Sequence, residues 1–211
     1  MFEIEYKGGN CVVISSKKAT IVVDPKISLV GLKDIKTKDE VELATETRFR
    51  VENSDARIII DSPGEYEIGD FTIKGVAAVR HIDTEAQEKL STVYRLECGD
   101  VRIAVVGNIA PKLSDEQLET IGVVDVLIIP VGGGGYTLDA TSAASMVRQI
   151  EPKAIVPVHY AAAGLSYEVP QDSLETFVHE LGAPVEQVLK FKLKSAVALP
   201  PVATVFEVAR S

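Results

Sequence analysis

The order of short apolar runs constrains the fold of this chain more than any other feature. In the first half, strand-like runs are separated by turn residues such as Gly8-Gly9-Asn10. These runs lie at 2–7, 11–15, 20–23, 58–60, 66–68, 71–78, 92–97 and 101–106. In the second half, buried-strand patterns at 126–131 and 154–158 alternate with helical spacing at 139–150 and 172–181. Hairpins followed by strand–helix units fit an α+β fold with helices packed outside two β layers.

Three further segments carry weaker signals. Residues 41–51 alternate with a period near two, which predicts a half-exposed strand. The polar segment 81–90 is typical of a loop or a poorly formed helix. The C-terminus has strand-like runs near 188–193 and 204–208, and the apolar tail 196–208 could supply an edge strand to a partner.

Composition limits the classes of function. The 211 residues, 46% of them apolar, suit one domain spanning 1–211. The first residues alternate like a strand and do not resemble a signal peptide, and no segment has the apolar length of a membrane span. We therefore expect a cytoplasmic protein with no membrane partner. The net charge of −9 argues against nucleic acid as a partner.

Several motifs, taken in order, resemble the metallo-β-lactamase superfamily, specifically its lactonase-like Zn-dependent hydrolases. The motifs are the strand end 21–25, the segment 61–67, the strand and loop 124–133, and the histidine motif 150–160. The resemblance implies an αββα sandwich, two mixed β-sheets flanked by helices, with a site at one edge of the two sheets. In active members a T-H-x-H-x-D-H signature, a later histidine, a bridging aspartate and a terminal histidine bind two zinc ions.

The ligand positions of that signature are replaced in this chain. Thr45 matches the leading threonine, but the four ligand positions hold Glu46, Arg48, Arg50 and Val51. The other matches are His81 for the later histidine, Asn108 for the bridging aspartate and His159 for the terminal histidine. A catalytic zinc site needs about three protein ligands, and two fixed guanidinium charges oppose a divalent cation. We therefore expect no metal, no cofactor and no catalytic residue.

These substitutions lead to a hypothesis about function. A non-catalytic member of the fold, acting through binding or assembly, is the leading interpretation. Its more specific form is a vestigial pocket that binds a small anionic ligand. The residues of this pocket would be Glu46, Arg48, Arg50, His81, Asn108 and His159.

Two alternatives stay open. Because His81 and His159 survive, the chain could be a metal-dependent hydrolase with an atypical mononuclear site. The apolar tail instead suggests a structural subunit, such as a homo-oligomer. The alternation in 41–51 also leaves room for Arg48 and Arg50 to face solvent rather than the pocket.

Overall fold

The computed structural model describes residues 1–52, 54–81 and 90–211, which form fourteen strands and three α-helices. The first strands are β1 Phe2–Gly8, β2 Cys11–Ser15, β3 Thr20–Val23, β4 Val41–Leu43, β5 Ile58–Ile60, β6 Gly64–Ile68 and β7 Phe71–Val79. The later strands are β8 Leu90–Cys98, β9 Val101–Val105, β10 Val126–Pro130, β11 Ala154–Val158, β12 Val185–Val188, β13 Phe191–Leu193 and β14 Thr204–Val208. The helices are α1 Asp115–Ile121, α2 Ala140–Ile150 and α3 Leu174–Leu181.

The strands form two mixed sheets. One sheet has six strands in the order β13-β1-β2-β3-β4-β5, and the other has eight in the order β12-β14-β11-β10-β9-β8-β7-β6. Alternate residues of β1 are buried, as expected for a strand with one face in the core. One apolar cluster joins both sheets and includes Ile4, Ile14, Ile73 and Leu96. The predicted α+β sandwich is confirmed.

The parallel strands bring residues from distant parts of the sequence to one edge. In the larger sheet β9, β10, β11 and β14 are parallel neighbours, and β10 and β11 are buried along their whole length. In the smaller sheet β3 runs parallel to β4. The residues that follow such strands share an edge, where folds with parallel strands commonly place their sites. Asp24, Thr45, Asn108 and His159 all occupy such positions.

The segment 41–51 departs from the prediction of one strand. Only Val41–Leu43 is a strand, and Thr47–Phe49 forms a 3₁₀ turn. The cause is Asp24, whose carboxylate accepts hydrogen bonds from the backbone N and the Oγ1 of Thr45, both at 2.7 Å. These bonds turn the chain away from the sheet, so the side chains of Glu46 and Arg48 do not alternate along a strand.

The apolar tail contains the predicted strand at 204–208, but this strand does not lie at the edge of its sheet. Strand β14 lies between β11 and β12, with its backbone groups paired on both sides, so it offers no free edge. The edge strands of the larger sheet are instead β12 and β6. Most of the polar segment predicted as a loop or poor helix, 82–89, lies outside the described residues. Within the described ranges, every helix is too short or too polar to cross a bilayer.

Candidate functional site

A small cleft opens at the edge where the parallel strands end. Its volume is about 80 Å³, and three of the predicted pocket residues line it: Arg48, Asn108 and His159. Polar and aromatic side chains from two loops complete the wall, among them Tyr136, Tyr167 and Gln171. Leu29 and Val30 form an apolar part of the lining. Glu168 is the acidic residue of the lining, so the cleft combines one cation, one acidic group, several neutral polar groups and a short apolar surface.

Glu46 lies between two arginines. Its side chain is 3% exposed, and its Oε2 is 2.9 Å from Nε of Arg48 and 3.2 Å from Nη1 of Arg80. Nη2 of Arg48 also donates to Oε1 of Glu46 at 3.2 Å. Burial raises the pKa of Glu46, while the charges of both arginines oppose that shift. The cluster of Glu46, Arg48 and Arg80 thus places two guanidiniums around one buried carboxyl group.

Arg48 reaches the cleft from this cluster. Its guanidinium carbon lies 4.6 Å from the centre of the Phe49 ring and 6.0 Å from that of Tyr136. Aromatic faces attract cations at such distances and hold the planar group in place. The side chain remains 34% exposed, so its charge is available in the cleft.

The support beneath this cluster is buried and closely packed. Asp24 is buried, has a left-handed φ of 47° and fixes Thr45 through the two hydrogen bonds described above. Burial raises the pKa of Asp24 to about 7, against the opposing hydrogen bonds from Thr45. A Cβ atom on Gly107 would lie 2.6 Å from Cβ of Thr45, so only glycine fits there. Asp24 and Gly107 thus fix the backbone position from which the side chains of Glu46 and Arg48 extend.

His159 is held by a separate set of contacts. Its Nδ1 lies 3.1 Å from Oε1 of Gln171, and its ring packs 4.7 Å from that of Tyr167. The backbone N of His159 donates to the carbonyl of Gly9. The backbone of His159 is in the left-handed region, with a φ of 53°. Burial lowers the pKa of His159 to about 4, so the imidazole is uncharged at neutral pH.

Glycine at position 132 allows the close approach of His159 and Gln171. A Cβ there would lie 2.2 Å from the carbonyl oxygen of His159 and 2.6 Å from Oε1 of Gln171. Gly132 also accepts a backbone hydrogen bond from Asp172, and Gly133 donates one to Leu138. Gly132 and Gly133, the first residues of the glycine run 132–135, are therefore part of a packed wall.

Asn108 is bonded to His81 through its backbone and to Asn10 through its side chain. Asn108 is buried, and its Oδ1 accepts from Nδ2 of Asn10 at 3.0 Å. Its carbonyl accepts from the backbone N of His81 at 2.9 Å. Within the described part of the chain, the lining of the cleft includes Asn108 but not the side chain of His81. His81 therefore lies next to the site and not in it.

Arg50 does not join the other predicted pocket residues. Its Nη1 pairs with Oδ2 of Asp61 at 2.8 Å, and its side chain borders an outer, open depression together with Lys26 and Glu52. Arg48 borders this depression as well as the cleft, whereas Arg50 borders the depression and is not part of the cleft lining. The two arginines of the signature thus have different surroundings.

Other residues of the site were not predicted from the sequence. Arg80 is adjacent to His81. Its position just after an apolar strand is the sequence signal that could have identified it as a site residue. Tyr136 directly follows the glycine run. Gln171 and Tyr167 come from a loop between β11 and α3 with no motif, so only the folded chain identifies them.

The residues of the site do not fit the zinc ions of active family members. In the described parts of the chain, 1–52, 54–81 and 90–211, no group of three or more His, Cys, Asp or Glu side chains could hold a metal ion. Glu46 is already paired with two guanidiniums, and Nδ1 of His159 is engaged by Gln171. A divalent cation near Arg48 and Arg80 would meet like charge.

Comparisons with solved structures agree with the fold. A Thermotoga maritima protein named for the Zn-dependent hydrolases of the metallo-β-lactamase superfamily superposes with a TM-score of 0.77. It is 23% identical, and the match covers 99% of this chain and 100% of that one. Igni18, a metallo hydrolase of Ignicoccus hospitalis, superposes with a TM-score of 0.66 at 15% identity, over 92% of this chain and 99% of its own. At these identities the likeness establishes the fold and not the activity.

Sequence comparisons lead to the family. A UPF0173 protein of Pyrococcus abyssi is 25% identical over 191 residues, which cover 77% of this chain and 85% of the relative. The sequence model of the beta-lactamase superfamily domain matches residues 3–159, more than half of the chain. The chain therefore belongs to the family of beta-lactamase superfamily domains.

Proposed function

We propose that this protein is a non-hydrolytic member of its family that binds a small anionic ligand in the cleft, with Arg48 as the charged contact. The observation that carries the proposal is the cluster of Glu46, Arg48 and Arg80 at the signature positions. Two guanidiniums surround one carboxylate, so the cluster has a net positive charge where active members bind cations.

The surroundings of Arg48 support a binding role. Arginine carries more N–H donors than its pairing with Glu46 uses, and within the described residues no hydrogen-bond partner contacts its Nη1. A guanidinium with a free edge suits the planar geometry of a carboxylate or a phosphate. The neutral state of His159 and the amide groups of Asn108 and Gln171 add polar contacts without adding charge.

One acidic residue limits the charge of the ligand. Glu168 also lines the cleft, where its hydrogen bond raises the pKa of Tyr136. With Glu168 included, the side chains near the cleft nearly balance in charge. A ligand with a single negative charge is therefore favoured over one with two or more.

Thermal unfolding in the presence of anions tests the proposal. Acetate and phosphate should raise the melting temperature as their concentration rises, since a ligand that binds only the folded state stabilises it. Arg48→Ala should abolish this rise. Arg50→Ala removes the same charge, but from a residue paired with Asp61 outside the cleft, and should leave the rise intact. An unchanged rise in Arg48→Ala, or a loss in Arg50→Ala alone, would place the anion elsewhere and reject the proposal.

The alternative of a hydrolase with one metal ion makes a different prediction. Its support is the survival of His159 and the hydrolase names of the structural relatives. Such a protein should purify with about one equivalent of metal and lose activity with a chelator. The non-hydrolytic interpretation predicts neither result.

A further inference from the structure

The cleft presents a hydrogen-bond acceptor as well as a cation. Nε2 of Gln171 donates to the carbonyl oxygens of Val169 and Pro170, at 3.1 and 3.3 Å. These bonds fix the orientation of the Gln171 amide, so its Oε1 is the atom that faces Nδ1 of His159 at 3.1 Å. Because an amide oxygen can only accept, Nδ1 of His159 must carry the proton.

The tautomer of His159 follows from that hydrogen bond. A neutral imidazole with its proton on Nδ1 has a bare lone pair on Nε2. Within the described residues no hydrogen-bond donor contacts Nε2, and the ring lines the cleft. His159 therefore offers an acceptor to a ligand, while Arg48, on the wall of the same cleft, offers donors and a positive charge.

We propose that the ligand is a small 2-hydroxy monocarboxylate, with its carboxylate on Arg48 and its hydroxyl donating to Nε2 of His159. This inference rests on the proposed function and adds the chemical class of the ligand. A carboxylate alone would leave the acceptor of His159 unpaired, and an unpaired buried polar group lowers affinity. A hydroxyl next to the carboxylate supplies the missing donor.

The size and lining of the cleft agree with this class. A water molecule needs about 10–15 Å³ of cavity volume. The volume of about 80 Å³ therefore accommodates roughly five to eight atoms of that size. Lactate and glycolate fall within this range. Leu29 and Val30 provide an apolar surface for a short alkyl group such as the methyl of lactate.

Matched ligands separate this inference from the proposed function. Calorimetry can measure the affinities of lactate, propanoate and pyruvate. These ligands differ only at the carbon next to the carboxylate: lactate has a hydroxyl there, propanoate has none, and pyruvate has a carbonyl. Lactate should bind about tenfold more tightly than propanoate, the gain expected for one hydrogen bond in a buried site. Pyruvate should bind no better than propanoate, because its carbonyl cannot donate to Nε2.

Variants of Arg48 and His159 test which residue contacts the carboxylate and which contacts the hydroxyl. Arg48→Ala should remove the binding of both lactate and propanoate. His159→Asn keeps a residue type that tolerates a left-handed φ, and should bring the ratio of lactate to propanoate affinity close to one. Equal affinities in the unaltered protein, with binding still dependent on Arg48, would overturn the 2-hydroxy acid and leave the anion site standing. Binding of phosphate through Arg48 without binding of lactate would likewise overturn the 2-hydroxy acid and leave the anion site standing. No binding of any of these anions would overturn both proposals.

The tautomer can be measured without a variant. In protein labelled with ¹⁵N at histidine, the shifts of the His159 ring nitrogens distinguish a protonated from a bare nitrogen. We expect protonated Nδ1 and bare Nε2 at neutral pH. A proton on Nε2 would overturn the inference, because that atom would then be a donor.

Discussion

Nε of Arg48 lies 2.9 Å from Oε2 of Glu46, and the sequence resemblance matches both residues to metal-ligand positions of active family members. Arg80 approaches the same carboxylate oxygen at 3.2 Å. In this protein the positive charge at the edge of the sheets therefore belongs to the chain itself. A permanent cation on a side chain can bind an anion, but it cannot supply a metal-activated hydroxide.

Removing the charge of Glu46 should destabilise the protein strongly. Glu46→Gln keeps the shape of the side chain but leaves two guanidiniums without a counter-ion. We expect the free energy of unfolding to fall by about 3 kcal/mol, as for a buried ion pair that loses one partner. Denaturation by urea measures the change.

The matched control for this variant is Glu52→Gln. Glu52 is 88% exposed and its carboxylate is 3.8 Å from Nζ of Lys26, so its loss should cost less than about 1 kcal/mol. Equal effects of the two substitutions would contradict the importance of the cluster.

Stability should depend on pH through two buried groups with opposite signs. The pKa of Asp24 is raised from 3.8 to about 7, so its contribution to stability is fully present below pH 3.8 and is lost as the pH rises from there through about 7. The pKa of His159 is lowered from 6.5 to about 4, so its contribution is lost as the pH falls from 6.5 towards 4. Between about pH 4 and 6.5 the two effects oppose each other.

Substituting one of these two residues should leave the pH dependence of stability that the other contributes. Relative to the unaltered protein, Asp24→Asn should gain stability as the pH rises, and His159→Asn should gain stability as the pH falls. Each slope should approach about 1.4 kcal/mol per pH unit where only one of the two states binds the proton. The check is urea denaturation at several pH values. Curves that run parallel to that of the unaltered protein would show that neither group has a shifted pKa.

Gly132→Ala should disrupt the wall that holds His159. The new Cβ would meet the His159 carbonyl at 2.2 Å, a contact with backbone that cannot move aside easily. A loss of about 3 kcal/mol is expected, at the upper end of the usual cost of overpacking. Gly135→Ala is the control: its Cβ meets nothing within 4 Å, although a left-handed φ of 79° costs about 1–2 kcal/mol for any side chain. Thermal or urea unfolding that ranked Gly135→Ala as the more damaging change would contradict the packing described here.

The sequence predicted the elements whose patterns are local. Alternation in β1 and the continuous apolar runs of β10 and β11 identify strands because burial follows directly from the spacing. The order of motifs also indicated the family and the edge of the fold that carries the site. Of the predicted pocket residues, the structure brings Glu46, Arg48, Asn108 and His159 together.

The remainder depends on contacts between distant residues. The segment 41–51 has the alternation of a strand, but Asp24 binds Thr45 and turns the chain after Leu43. Spacing along the sequence did not show that Arg48 pairs with Glu46 while Arg50 pairs with Asp61. Likewise, Gln171 contacts Nδ1 of His159 from a loop whose sequence has no motif.

Metal content tests the central claim most directly. The protein should be produced in medium supplemented with zinc, manganese and iron, purified without chelator, and measured by elemental analysis against its concentration. We predict far less than one equivalent of any of these metals, because Arg48 and Arg80 already neutralise Glu46 and repel a divalent cation. About one or two tightly held equivalents, the loading of a catalytic zinc site, would contradict this account.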